Sequence, residues 1–153
     1  MAHFQMSKTV QAPPDRVFGA FTDLQNAAAR IRGISRIELL TPGPVCVGTR
    51  FRETRRMFGK EATEEMTVTA YEPPRLYAMG ADSCGMRYAT TFRFAPDGGG
   101  TRVDVEMVAT AQTASAKIMG LLMGWMMAPM MRKCFAADMD DMAAAAEGRP
   151  VTK

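Results

Sequence analysis

The chain has 153 residues, 47% of them apolar, with 19 basic and 16 acidic side chains that leave a formal charge of +3. That length and composition suit one domain spanning residues 1–153, and basic residues scattered without a dense block argue against nucleic acid as a partner. Cys46, Cys84 and Cys134, odd in number and far apart, have neither a disulfide framework nor a zinc spacing; the opening MAHFQMSKTV has no export signal, so a reduced, cytoplasmic protein is expected.

The first strand falls in HFQMSKTVQA, where Phe4 and Met6 alternate with polar residues. It gives way to Pro13-Pro14-Asp15, with Pro14 suited to a first helical turn and Asp15 to the positive end of the helix dipole. Val17, Phe18, Phe21 and Leu24 then recur at helical spacing, and a second short helical piece around LQNAAARI ends at Gly33. From Ile34 to about Gln112 the period drops to two, punctuated at TPGPVCVG, FGKE, YEPPR, DSCG and PDGGGT, the pattern of an antiparallel meander.

Register follows by counting outward from the turns. With Gly59-Lys60 as a two-residue loop, Phe51 faces Val68, Glu53 faces Met66, Arg55 faces Glu64 and Met57 faces Ala62. The alternate residues are polar enough to be the wet side, so Glu53, Arg55 and Glu64 are carried inward. Across PDGGGT the same counting sets Phe94 beside Val103, Phe92 beside Val105, Thr90 beside Met107 and Tyr88 beside Ala109.

A long helix is expected from Ala114 to Glu147. Beyond Lys133, Phe135, Met139, Met142 and Ala146 mark its apolar stripe, with Arg132, Lys133, Asp140 and Asp141 elsewhere on the surface. Its first part, GLLMGWMMAPMM, is apolar on every side, which favours burial on more than one side. Ordinary core is one reading, a methionine-rich ligand wall another, and a dimer or membrane-surface patch a third. The 14 residues from Ile118 to Met131 are too few for a bilayer span of about 20. Pro129 should kink the helix near Trp125 or break it.

His3, the only histidine, lies at the N-terminus, and no nucleotide-binding or metal motif occurs; no cofactor and no metal site are expected. The best catalytic candidates are Glu53, Arg55 and Glu64, together with Tyr88, because a carboxylate among apolar walls becomes a stronger base and Arg55 can hold an anionic oxygen. The alternative is a half-exposed Arg55–Glu64 ion pair of little consequence.

The order of elements, together with APPDRVFGAFTDLQNAAARIRGISRIELLTPGPVCVGTRF and the later YEPP, resembles the START-like (SRPBCC) superfamily, and within it the polyketide cyclase/dehydrase-like branch, over about residues 3–147. The resemblance implies an α+β helix-grip fold: a curved antiparallel sheet of about seven strands around the long C-terminal helix, with two short helices after strand one and an apolar cavity between sheet and helix. Phe51, Met66, Val68, Tyr88, Thr90, Phe92, Val105 and Met107 on the sheet, and Leu122, Trp125, Met126 and Met130 on the helix, would then contact a ligand. That ligand would be small and hydrophobic or amphipathic, a lipid or a polyketide-like aromatic, with no integral membrane contact. An enzyme of the cyclase/dehydratase type is the alternative, and a partner-binding accessory protein or a homodimer the third.

Overall fold

Alternation of Phe4, Met6 and Val10 with polar residues builds β1 (Ala2–Val10), whose inner side chains become more buried toward its C-terminal end. A computed structural model describes residues 2–57 and 59–151 of the chain. As the prolines predict, α1 (Pro14–Thr22) begins with Pro14 in its first turn and buries Val17, Phe18 and Phe21. A 3-10 turn over Leu24–Asn26, capped by the Asp23 side chain, runs into the one-turn α2 (Ala27–Arg30).

Six strands follow: β2 (Ile34–Leu39), β3 (Arg50–Met57), β4 (Lys60–Glu72), β5 (Leu76–Ser83), β6 (Met86–Asp97) and β7 (Gly100–Ala111). They join β1 in one antiparallel sheet of order β1-β7-β6-β5-β4-β3-β2. Register breaks between Ile34 and Arg36 on β2 and between Val68 and Ala70 on β4 add local bends, which help curve the sheet into a trough. Phe18 and Phe21 of α1 lie in that trough, edge-on to Phe94 at 5.2 and 5.4 Å, with Phe92 5.8 Å from Phe21.

The β6–β7 pairing is the expected one at every counted pair, Phe94 with Val103 through Tyr88 with Ala109. The β3–β4 pairing is displaced. Phe51 faces Met66, Glu53 faces Glu64, Arg55 faces Ala62 and Met57 faces Lys60, with Gly59, at φ 74°, immediately before the second strand. Phe58, which the expected Gly59-Lys60 turn would have left in the strand, lies outside the described residues. The displacement is two residues, one full pleat, so every side chain stays on its expected face.

The last element, α3 (Ala114–Ala146), starts where the Thr113 hydroxyl accepts from the Ala116 backbone N–H at 3.1 Å, and it continues through Pro129 as one helix, so of the kink or break expected there the break is absent. Its second half seals the core with Met139, Met142, Ala143 and Ala146. Asp141, expected on the surface, is buried there: its carboxylate accepts the Arg32 backbone N–H at 2.8 Å and the Arg32 Nε at 3.0 Å, tying the segment before β2 to α3. None of the described helices is long and apolar enough to cross a membrane.

Candidate functional site

Between the concave face of the sheet and α3 lies a cavity of about 370 Å³. The floor comes from alternate residues of neighbouring strands, because side chains two apart share a face: Phe51, Glu53 and Arg55 of β3, Glu64 and Met66 of β4, Tyr77 and Met79 of β5, and Tyr88, Thr90 and Phe92 of β6, with Met107 of β7. Phe21, Leu24 and Ile31 close one end. Met127, Met131, Phe135, Asp138 and Met142 of α3, spaced by four, four, three and four residues, form the roof.

Of the residues expected at the site, Glu53, Arg55, Glu64, Tyr88, Phe51, Met66, Thr90, Phe92 and Met107 line this cavity. Val68 and Val105 are buried and outside its lining, packed into the core beyond it. On α3 the expectation is corrected. Leu122, Trp125 and Met126 are exposed and Met130 is half-buried outside the lining; Met127 and Met131 face the cavity instead. The core reading of the methionine run is overturned as well, since Ile118 through Met126 project from the body of the protein, with Leu121 84% and Trp125 74% exposed.

The polar centre is a three-residue cluster. Arg55 donates through Nε to Glu53, two positions earlier on the same face of β3, and reaches across to α3, where Nη2 donates to Asp138 Oδ2 at 2.6 Å and Nη1 to Oδ1 at 3.3 Å. The expected Arg55–Glu64 pairing is therefore replaced, because the two-residue displacement puts Glu64 opposite Glu53 and the helix supplies a better-placed carboxylate. Gly33 makes room for the bridge: a Cβ there would stand 3.0 Å from Arg55 Nη1 and 3.5 Å from Asp138 Oδ1. Three of the five guanidinium N–H groups are used by these bonds, leaving two for a guest.

One cation serving two buried carboxylates sets the electrostatics. Burial pushes Glu53 above the usual carboxylate range and Arg55 only partly counters it, while Asp138 and Glu64 add repulsion. Asp138 is raised by burial, which Arg55 again only partly counters, with Asp141 as the repelling charge. Burial works against the charge on Arg55, but Glu53 and Asp138 outweigh it and hold the guanidinium protonated above its ordinary value. Glu64, half-buried, has no ion-pair partner among the described residues. Tyr88 is raised by burial and then by the charge of Glu64.

Among the site residues that sequence reasoning missed, two matter most. Asp138 sits on the same stripe as Phe135 and Met142, three residues after one and four before the other, a spacing that marks it as inward-facing. Tyr77 is fully buried, lies in the lining, stacks on Phe92 with ring centroids 6.1 Å apart, and its hydroxyl has no hydrogen-bond partner among the described residues. Its pKa is pushed up by burial and by Glu53. The alternation Tyr77, Met79, Ala81, counted from the DSCG turn, would have set it beside Phe92.

A family model described as polyketide cyclase / dehydrase and lipid transport matches residues 1–147. Among solved structures, TTHA0849 from Thermus thermophilus aligns with a TM-score of 0.79 at 18% identity, covering 96% of this chain and 98% of that one. The Zhui aromatase/cyclase from Streptomyces sp. R1128 aligns with a TM-score of 0.76 at 18% identity, over 95% of this chain and 93% of its own. The di-domain ARO/CYC BexL from the BE-7585A biosynthetic pathway gives 0.80 at 20% identity, over 97% of this chain and 51% of its own. At these identities the likenesses show the shared helix-grip fold. No curated protein matches the chain.

Proposed function

The chain belongs to the polyketide cyclase/dehydrase and lipid transport family, and on that premise we propose that it takes up a small hydrophobic or amphipathic ligand, lipid or polyketide-like, in the cavity between sheet and α3. The observation that carries this reading is the cavity itself: about 370 Å³, walled largely by Phe, Met and Ile side chains, with a few convergent polar groups. That is the usual make-up of a small-molecule site. The two spare N–H groups of Arg55 would serve a carbonyl or an anionic oxygen.

The test is occlusion. Ala81 lines the cavity from β5, and Ala81→Phe would take up part of its volume. Native mass spectrometry of gently purified protein should show a copurified small molecule, and an apolar fluorescent dye should bind the wild type at least ten times more tightly than the folded variant. A folded variant that binds dye as well as the wild type, or a wild type that binds neither, refutes the reading.

A second reading, acid/base catalysis of an aldol-type cyclisation with loss of water, has one observation in its favour: carboxyls of raised pKa stand in an apolar cavity beside a fixed cation. Glu64 or Glu53 as carboxylate would take a proton from the carbon next to a carbonyl, Arg55 would hold the enolate oxygen while that carbon bonds to a second carbonyl, and the carboxyl so formed would protonate the new alkoxide; a second proton taken from the same carbon would then be given to the hydroxyl as it leaves as water. Single substitutions Glu53→Gln and Glu64→Gln that abolish turnover of a poly-β-ketone while leaving dye uptake intact support it; equal loss of both refutes it.

A further inference from the structure

From Ile118 to Met126 the first half of α3 is largely uncovered among the described residues. Ile118, Leu121, Leu122, Trp125 and Met126 are all more than half exposed, and a Cβ added at Gly120 or Gly124 would meet nothing within 4 Å. Folded chains rarely leave so concentrated an apolar surface in water unless something else covers it.

The charges nearby identify the surround. Between Ala114 and Ala137 there is no acidic residue, while Lys117 lies before the apolar run and Arg132 and Lys133 lie after it, all three exposed. Two copies of this helix packed antiparallel would bring Lys117 of one against Arg132 and Lys133 of the other, with no carboxylate in the segment to answer them. An anionic lipid surface answers all three. At 14 residues the run Ile118–Met131 spans about 21 Å, too short to cross a hydrocarbon core of about 30 Å but suited to lying in its boundary with basic residues at the headgroups. Tryptophan favours that boundary.

We propose that the projecting half of α3 is a membrane-docking element that inserts Ile118–Met126 into the interface of an anionic bilayer. The next turns of the same helix carry Met127 and Met131, which line the cavity, so docking sets the cavity roof against the lipid. Docking itself does not depend on the ligand reading: an empty cavity would leave it standing, and a failed docking would leave dye binding untouched.

Trp125 is the only tryptophan of the chain and lies within the element, so it reports directly. Its emission should shift to the blue with vesicles of equal parts phosphatidylcholine and phosphatidylglycerol, and far less with phosphatidylcholine alone or in high salt. Leu121→Asp should abolish the shift. Lys117→Glu with Lys133→Glu should weaken partitioning by at least roughly twentyfold, since each basic residue near an anionic surface contributes about fivefold. These side chains are exposed, so circular dichroism and melting temperature should match the wild type. No shift on either vesicle overturns the proposal. So does a blue shift without vesicles that grows with protein concentration and accompanies a dimer in sedimentation, which would assign the patch to a second copy.

Discussion

Replacing Arg55 with methionine removes the cation and keeps most of the volume. Glu53 and Asp138, each 8% exposed, would then face one another and Glu64 with no positive charge in the cluster. Removing one partner of a buried ion pair costs about 3–5 kcal/mol, a large share of a total stability of about 5–15 kcal/mol. The carboxyls have one escape, taking up protons, and their pKa values are already raised by burial. The sign follows from proton counting. Between the usual carboxylate range near about 4 and the raised folded value, the folded state binds more protons than the unfolded one, so stability falls as pH rises through that window. The Arg55→Met penalty should therefore be near its full 3–5 kcal/mol at about pH 7.5 and smaller at about pH 5, by up to about 1.4 kcal/mol per pH unit for each carboxyl that stays protonated. Urea unfolding at the two pH values measures both numbers. Adding Glu53→Gln and Asp138→Asn to the Arg55→Met chain should recover most of the stability, because the uncompensated charges are gone, yet should not restore ligand affinity. A loss below about 1 kcal/mol, the scale of an exposed pair such as Arg87–Asp82, or a loss equal at both pH values, would refute the account.

Tyr77→Phe should leave the melting temperature unchanged or raise it, since it deletes a buried hydroxyl without a hydrogen-bond partner among the described residues; a clear fall in melting temperature would show that the hydroxyl is satisfied. Glu53→Gln removes one of the raised carboxyls, so the stability of this variant relative to wild type should grow as pH is taken from about 4 to about 7, and a difference that stays flat or shrinks would show that Glu53 is not held above its ordinary range.

How far the sequence carried the register depended on the turns. The β6–β7 loop has glycines at both central positions, Gly98 with φ 53° and Gly99 with φ 88°, a conformation other residues rarely adopt, and the count centred on that pair was right to the residue. The FGKE turn has one glycine, which can stand first or second in a two-residue loop. That ambiguity produced a displacement of one pleat. Because the displacement was even, Glu53, Arg55 and Glu64 stayed inward although their partners changed.

The same distinction explains what the sequence could not reveal about the site. Periodicity identifies a face by its apolar members, so Asp138, a carboxylate at an inward position, reads as an exception and is passed over. Only an arginine across the trough makes that position tenable. The methionine run misleads in the opposite way. Its residues are apolar all round, which states that they are to be covered but not by what, and the described chain ends its own coverage at Met127. One helix thus holds two solutions to the same problem. Its second half meets a sheet that supplies both grease and a counter-charge, whereas its first half carries grease and basic flanks with no cover among the described residues.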